Sequence, residues 1–140
     1  MLIANEFDEI SDELLTPALV IAKLQTRLIE IHHASLGTDF IMGHAGAGVY
    51  FLPLSSILEL SGLENIAQRQ VCFEQILAAQ QEPVMIHYNL PESIASAWLL
   101  TVSSPWLRLA HPQGVIWVPL SRVAYAEIRE LGSRKVCGSE

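Results

Sequence analysis

Charge is scarce in this chain: 16% of its 140 residues are Asp, Glu, Lys or Arg, where about 25% is usual for a soluble domain. Basic residues are scarcest in the first half. Only Lys23 and Arg27 precede residue 67, against nine acids, while the remainder carries six of each sign. A phosphate backbone is held mostly by Lys and Arg, so the net charge of −7 disfavours nucleic acid as a partner. An anionic membrane surface is disfavoured for the same reason. Two cysteines, Cys72 and Cys137, form no CxxC and have no His at metal-ligand spacing, which excludes a disulfide framework and a zinc knuckle. Cys72 is expected as a small buried residue. No Gly-rich phosphate loop, paired catalytic carboxylates or cofactor fingerprint occurs. No cofactor and no metal are therefore expected, and a non-enzymatic protein is the leading reading.

What is present is one pattern twice, 66 residues apart. Gly48-Val49-Tyr50-Phe51-Leu52-Pro53-Leu54-Ser55-Ser56-Ile57 matches Gly114-Val115-Ile116-Trp117-Val118-Pro119-Leu120-Ser121-Arg122-Val123. At the same offset Phe40-Ile41 falls on Trp106-Leu107, Pro17 on Pro83, and Phe7-Asp8-Glu9-Ile10 on Phe73-Glu74-Gln75-Ile76. A fixed period means each half is one folding unit built the same way. A unit this short supplies only about 3–5 kcal/mol from its own core, so the halves are expected to share a core or a large interface.

Each half opens on a helical pattern. Leu63, Ile66, Gln70, Phe73, Ile76 and Leu77 follow helix-face spacing up to Glu82-Pro83, and Phe7, Ile10 and Leu14 do so up to Thr16-Pro17. Short apolar runs follow, broken by turn residues, as about five strands. Proline inside Phe51-Leu52-Pro53 and Trp117-Val118-Pro119 removes a ladder donor, so each sits at an edge or sharp bend. Bends at equivalent places suggest a curled sheet. The expected fold is mainly β with two helices: two tandem helix-plus-five-strand small β-barrel units at residues 1–66 and 67–134, with a tail at 135–140. The charge-free run Phe40 to Leu58 is long enough to span a bilayer. It holds Gly43, Gly46, Gly48 and Pro53, however, and its counterpart carries Arg108 and Arg122. It reads as strand–turn–strand in a soluble fold with no membrane contact. No signal-peptide pattern precedes the acidic cluster Glu6 to Glu13, so a cytoplasmic protein is expected.

A helix followed by five bent antiparallel strands resembles the Sm-like fold of RNA-associated ring proteins, which has an SH3-like small barrel. Asp39-Phe40-Ile41-Met42-Gly43 looks like that family's first motif, and Val49 to Leu60 is similar to its second in hydrophobic pattern. The resemblance covers Phe7 to Leu60 and again Phe73 to Ile128. The chain has Gly43 where the family has Asn, Glu30 where it has Gly, and Pro105 at the place of Asp39. Ser55-Ser56 and Ser121-Arg122 stand where the family has a glycine between its last two strands. These departures fall on parts that cradle a nucleotide, so the resemblance implies the fold more than RNA binding.

Asp39, His44, Arg108, His111 and Arg122 are the candidate ligand or RNA contacts. His44 and His111 lie one position apart in the alignment, but a metal site needs two or three convergent ligands and only Asp39 is near. The structural reading of these histidines is preferred to a metal or pH-switch reading. His32 and His33 are adjacent, so a strand turns them to opposite faces. Ser55 and Ser121 lack any nucleophile-elbow context, and a serine after Pro-Leu suits a hydrogen bond at a tight corner. Trp98, Trp106 and Trp117 with Arg108 and Arg122 could form a base-stacking surface. Both faces of residues 114–126 are apolar, however, which suits a strand buried by core on one side and a partner on the other. Hydrophobic residues make up 51% of the chain, more than so small a surface usually leaves uncovered. A homo-oligomer is expected, with Val49, Phe51, Val115 and Trp117 at its interface, forming a self-assembling binding or scaffold protein. An RNA-binding protein using the second half, and a small-ligand protein or enzyme with a site between the halves, are the alternatives; another protein partner fits the first reading too.

Overall fold

The structure is a computed structural model that describes residues 19–64 and 66–129. The first expected helix, from Phe7 to Leu14, and the tail beyond 134 lie outside the described residues. The strands are β1 (Leu19–Leu24), β2 (Leu28–Leu36), β3 (Phe40–Ala45), β4 (Gly48–Pro53), β5 (Ile57–Ser61) and β6 (Ala67–Gln68) in the first part of the chain. Then come helix α1 (Phe73–Ala78), β7 (Met85–Asn89), β8 (Ile94–Ser103), β9 (Trp106–His111), β10 (Gly114–Pro119) and β11 (Val123–Arg129). Strands β7 to β11 begin 66 residues after β1 to β5 respectively. Three-residue 3-10 turns at Leu54–Ser56 and Leu120–Arg122 follow the two prolines, so each proline does mark a bend. Phe40 to Pro53 forms the expected strand–turn–strand hairpin. Among the described residues, no helix is long and apolar enough to cross a membrane.

The expectation of two helices and two separate barrels is corrected. The strands form one sheet in the order β10-β9-β8-β7-β11-β4-β3-β2-β1-β5, antiparallel along that path, with two-residue β6 added in parallel to β2. Each half contributes the same local order, and β11 joins them by pairing with both β7 and β4. The joining register sets Ala126 opposite Phe51, Glu127 opposite Tyr50 and Ile128 opposite Val49. Gly48 permits this approach, since a Cβ there would come within 2.4 Å of the Ile128 carbonyl oxygen.

The described residues hold one α-helix, and it is shorter than the apolar spacing from Leu63 predicts. Residues 67–69 are taken by pairing with β2, where the Arg69 N–H donates to the Leu36 carbonyl. The helix starts at Phe73, whose N–H donates to Asp39 Oδ1 at 2.7 Å, a side-chain partner for an otherwise orphan helix-start donor. Cys72 caps that helix and is half-buried.

Two apolar cores lie on opposite sides of the joint, and each borrows from the other half. Val20, Ile29, Ile31, Ile41 and Leu52 pack with Ala124 and Tyr125 of β11. Phe73, Leu77, Ile86, Leu107 and Leu109 pack with Phe40 and Phe51 of the first half. A register shift between Val123 and Tyr125 lets β11 feed both cores, so it is buried along all but its last residue. That sharing fits the low independent stability expected of so short a half.

Candidate functional site at the joint

A connected polar network sits where the second half's outer face meets the first half. Strand alternation directs side chains of residues i and i+2 to one face, and cross-strand register aligns them. His87 on β7 pairs directly with Ser96 on β8, and Tyr125 on β11 lies opposite His87 on the other side. Glu127 follows on the same face of β11, opposite Tyr50 of β4. Arg27 reaches in from the turn between β1 and β2.

The Ser96 hydroxyl lies 2.8 Å from His87 Nδ1, and His87 Nε2 lies 2.7 Å from Glu127 Oε1. A carboxylate only accepts, so Nε2 carries the proton and Nδ1 accepts from the serine. Arg129 Nε donates to the second oxygen, Glu127 Oε2, at 3.0 Å. The ring of His87 stacks on Tyr125 with centroids 4.3 Å apart, and Tyr125 stacks on Tyr50 at 5.4 Å. Arg27 Nη1 donates to the Tyr125 hydroxyl at 2.8 Å. Exposure grades along the chain of contacts: the Glu127 side chain is 7% exposed, that of His87 is 13%, and Ser96 is open to solvent. Burial pushes the His87 imidazole below its usual range, with Arg27 and Arg129 acting in the same direction and Glu127 opposing. Burial, then the Glu127 charge, raises the Tyr50 hydroxyl above its ordinary value.

The residues singled out in the sequence lie elsewhere. Asp39 caps α1 and lines a cleft of about 280 Å³ together with Cys72, Glu74 and both Leu-Ser turns, Leu54-Ser55 and Leu120-Ser121. The corner hydrogen bond expected of Ser55 is instead made by Ser56, whose hydroxyl donates toward the carbonyls of Pro53 and Ala124 at 2.9 and 2.6 Å. In the second half that next position is Arg122, an exposed residue whose carbonyl accepts from Asn89. His44 on β3 packs edge-on against His33, while His111 on β9 accepts from the Gln113 N–H through Nδ1 at 3.3 Å. Four strands separate β3 from β9, so these histidines do not converge. Among the described residues, no three His, Cys, Asp or Glu side chains could share a metal.

Arg108 stands on the outer face of β9, between Trp117 of β10 and Thr101 of β8. That face also carries Trp106, Val115 and Trp98, all exposed. Position by position, the first half behaves differently. Phe51, the counterpart of Trp117, is 1% exposed, and Phe40, the counterpart of Trp106, is fully buried. Val49, the counterpart of Val115, packs against the same core. Val49 and Phe51 are thus covered by the chain's own second half, while Val115 and Trp117 are 48% and 53% exposed. No family model matches this chain, and no curated protein matches it.

Sequence reasoning passed over His87, Ser96 and Glu127. The hairpin turn at residues 90–93 could have set His87 opposite Ser96. No local signal could have brought Glu127 to them, since that contact depends on where β11 pairs.

Proposed function

We propose that this protein is a cytoplasmic, duplicated, self-assembling binding or scaffold protein whose copies join through the two end strands of the sheet. β10 of one copy would accept β5 of the next, as β4 accepts β11 within the chain. The observation that carries this reading is the contrast between buried Phe51 and exposed Trp117 at equivalent positions. Transferring the internal register by 66 residues places Leu60 opposite the next copy's Trp117 and Ser61 opposite its Ile116. Such pairing would satisfy edge-strand donors and acceptors that otherwise invite uncontrolled association, and it is heterologous, closing into a ring or running on as a filament. The low charge content supports it, as does the resemblance of residues 39–43 and 49–60 to the ring-forming Sm-like proteins. A closed ring would contain an even number of halves.

The test is light scattering on a size-exclusion column, with absorbance read at 260 and 280 nm. Wild type is expected as a multimer of the 15.5 kDa chain, and Val115→Lys with Trp117→Lys as a folded monomer. A wild-type monomer at tens of micromolar would overturn the reading. A multimer whose peak absorbs strongly at 260 nm would instead assign Arg108 and the exposed tryptophans to single-stranded RNA.

A further inference from the structure

We propose that Ser96 is a base-activated nucleophile that accepts the acyl group of activated esters, with His87 as its proton acceptor and Glu127 as the positioning residue. The inference does not rest on assembly.

Serine hydroxyls are poor nucleophiles unless a neighbouring base takes the proton and a third group orients that base. All three parts are present in order: Ser96 Oγ at 2.8 Å from His87 Nδ1, and His87 Nε2 at 2.7 Å from Glu127 Oε1. The Glu127 contact holds the proton on Nε2, so the Nδ1 lone pair faces the serine. Tyr125, stacked on the imidazole, fixes the ring plane, and Arg129 occupies the far oxygen of Glu127. Burial of His87 keeps it a neutral acceptor at neutral pH. The nucleophile itself is exposed, as an attacking group must be.

A landing surface adjoins it. Trp98 lies two residues along β8 on the same face, 43% exposed, and pairs with Met85 of β7. These apolar groups suit the hydrocarbon part of an acyl chain. Assembly would leave this corner open. The counterparts of Ser96 and Trp98 in the first half are Glu30 and His32, and both are exposed even though Phe40 and Phe51 are covered.

The step balances without a redox partner. The Ser96 Oγ–carbon bond forms as the ester carbon–oxygen bond breaks. The hydroxyl proton passes to His87 Nδ1 and then to the departing alkoxide or phenoxide, giving acyl-Ser96 and an alcohol. A water deprotonated by the same imidazole then cleaves the acyl-serine to carboxylic acid and free Ser96.

The experiment treats the full-length protein with a fluorophosphonate probe, whose phosphorus bonds the serine oxygen as fluoride departs, and with p-nitrophenyl acetate. Intact mass and peptide mapping locate the adduct. One phosphonyl group is expected on Ser96, with none at that peptide in Ser96→Ala, an exposed substitution that leaves the fold intact. His87→Gln should slow labelling by about 100-fold or more, the usual contribution of a general base. Glu127→Gln should lower the acylation rate and move its pH profile, a change that a purely structural role would not produce in a variant with an unchanged melting curve. The charged and titratable groups around His87 are Glu127 and Arg129 on β11, Arg27 from the first half, and the stacked Tyr125. In wild type the rate should rise as His87 loses its proton, with a midpoint below the usual histidine range. No labelling of wild type at millimolar probe would overturn the proposal. So would equal labelling of wild type and Ser96→Ala, or an adduct mapped to Ser55 or Ser121.

Discussion

Phe51 and Trp117 hold equivalent places on β4 and β10, so truncating each to alanine asks directly what covers each face. Phe51 is 1% exposed and packs in the core that also holds Phe73, Ile128 and Leu107. Removing a fully buried Phe loses both its transfer free energy and the packing around the resulting void, about 3–5 kcal/mol. A domain is stabilised by only about 5–15 kcal/mol in total, so Phe51→Ala should melt roughly 10 °C or more below wild type. Trp117 is 53% exposed, so only about half of its surface is withdrawn from water in the single chain. At ~25 cal/mol per Å² over half of the ~150–250 Å² an aromatic side chain can bury, its truncation should cost ~2–3 kcal/mol at most, with no enclosed void left behind. Urea denaturation monitored by circular dichroism, at protein concentrations low enough to exclude association, measures both. The outcome that sinks the reasoning is Trp117→Ala costing as much as Phe51→Ala in dilute protein. Repeating the pair at high concentration adds a second test. If copies join at β10, the cost of Trp117→Ala grows with concentration by mass action, while that of Phe51→Ala barely changes.

Asp39→Ala removes the acceptor for the Phe73 N–H and should cost about 1 kcal/mol, whereas Asp39→Asn keeps a side-chain oxygen and should cost less; equal losses in the urea midpoint would show that this contact does not hold the helix start. His87 is held neutral by burial, so the folded state binds fewer protons there than the unfolded chain. The stability this contributes is complete above the ordinary histidine pKa near 6.5 and is lost as pH falls through the lower folded value. The urea midpoint should therefore drop between pH 7.5 and 5.5 in wild type and drop less in His87→Gln; parallel losses would assign the acid sensitivity to other groups.

Much of the local architecture was legible because it is written in short-range pattern. The period of 66 residues anticipates where β7 to β11 begin, and Pro53 and Pro119 mark bends because a missing donor ends a ladder wherever it occurs. Apolar spacing from Leu63 predicts a longer helix than the Phe73–Ala78 segment that forms. Apolar spacing at Leu63 and Ile66 is equally available to a segment that crosses to β2, and the β6 pairing is a long-range choice. The candidate site was illegible for the same reason. His87 and Ser96 are hairpin neighbours within reach of sequence inspection, but Glu127 comes to them through the long-range pairing of β11 with β7, and Tyr50 and Arg27 only through the β11–β4 joint.

By itself, then, the sequence determined where the two proline bends fall and how scarce charge is, properties of neighbouring residues and backbone sterics. Only the tertiary structure decided that the strands form one continuous sheet, that the same outward position is buried at Phe51 and open at Trp117, and that a carboxylate stands behind His87. Those follow from which strand edges meet, and edge pairing depends on contacts between residues dozens of positions apart that no local pattern encodes.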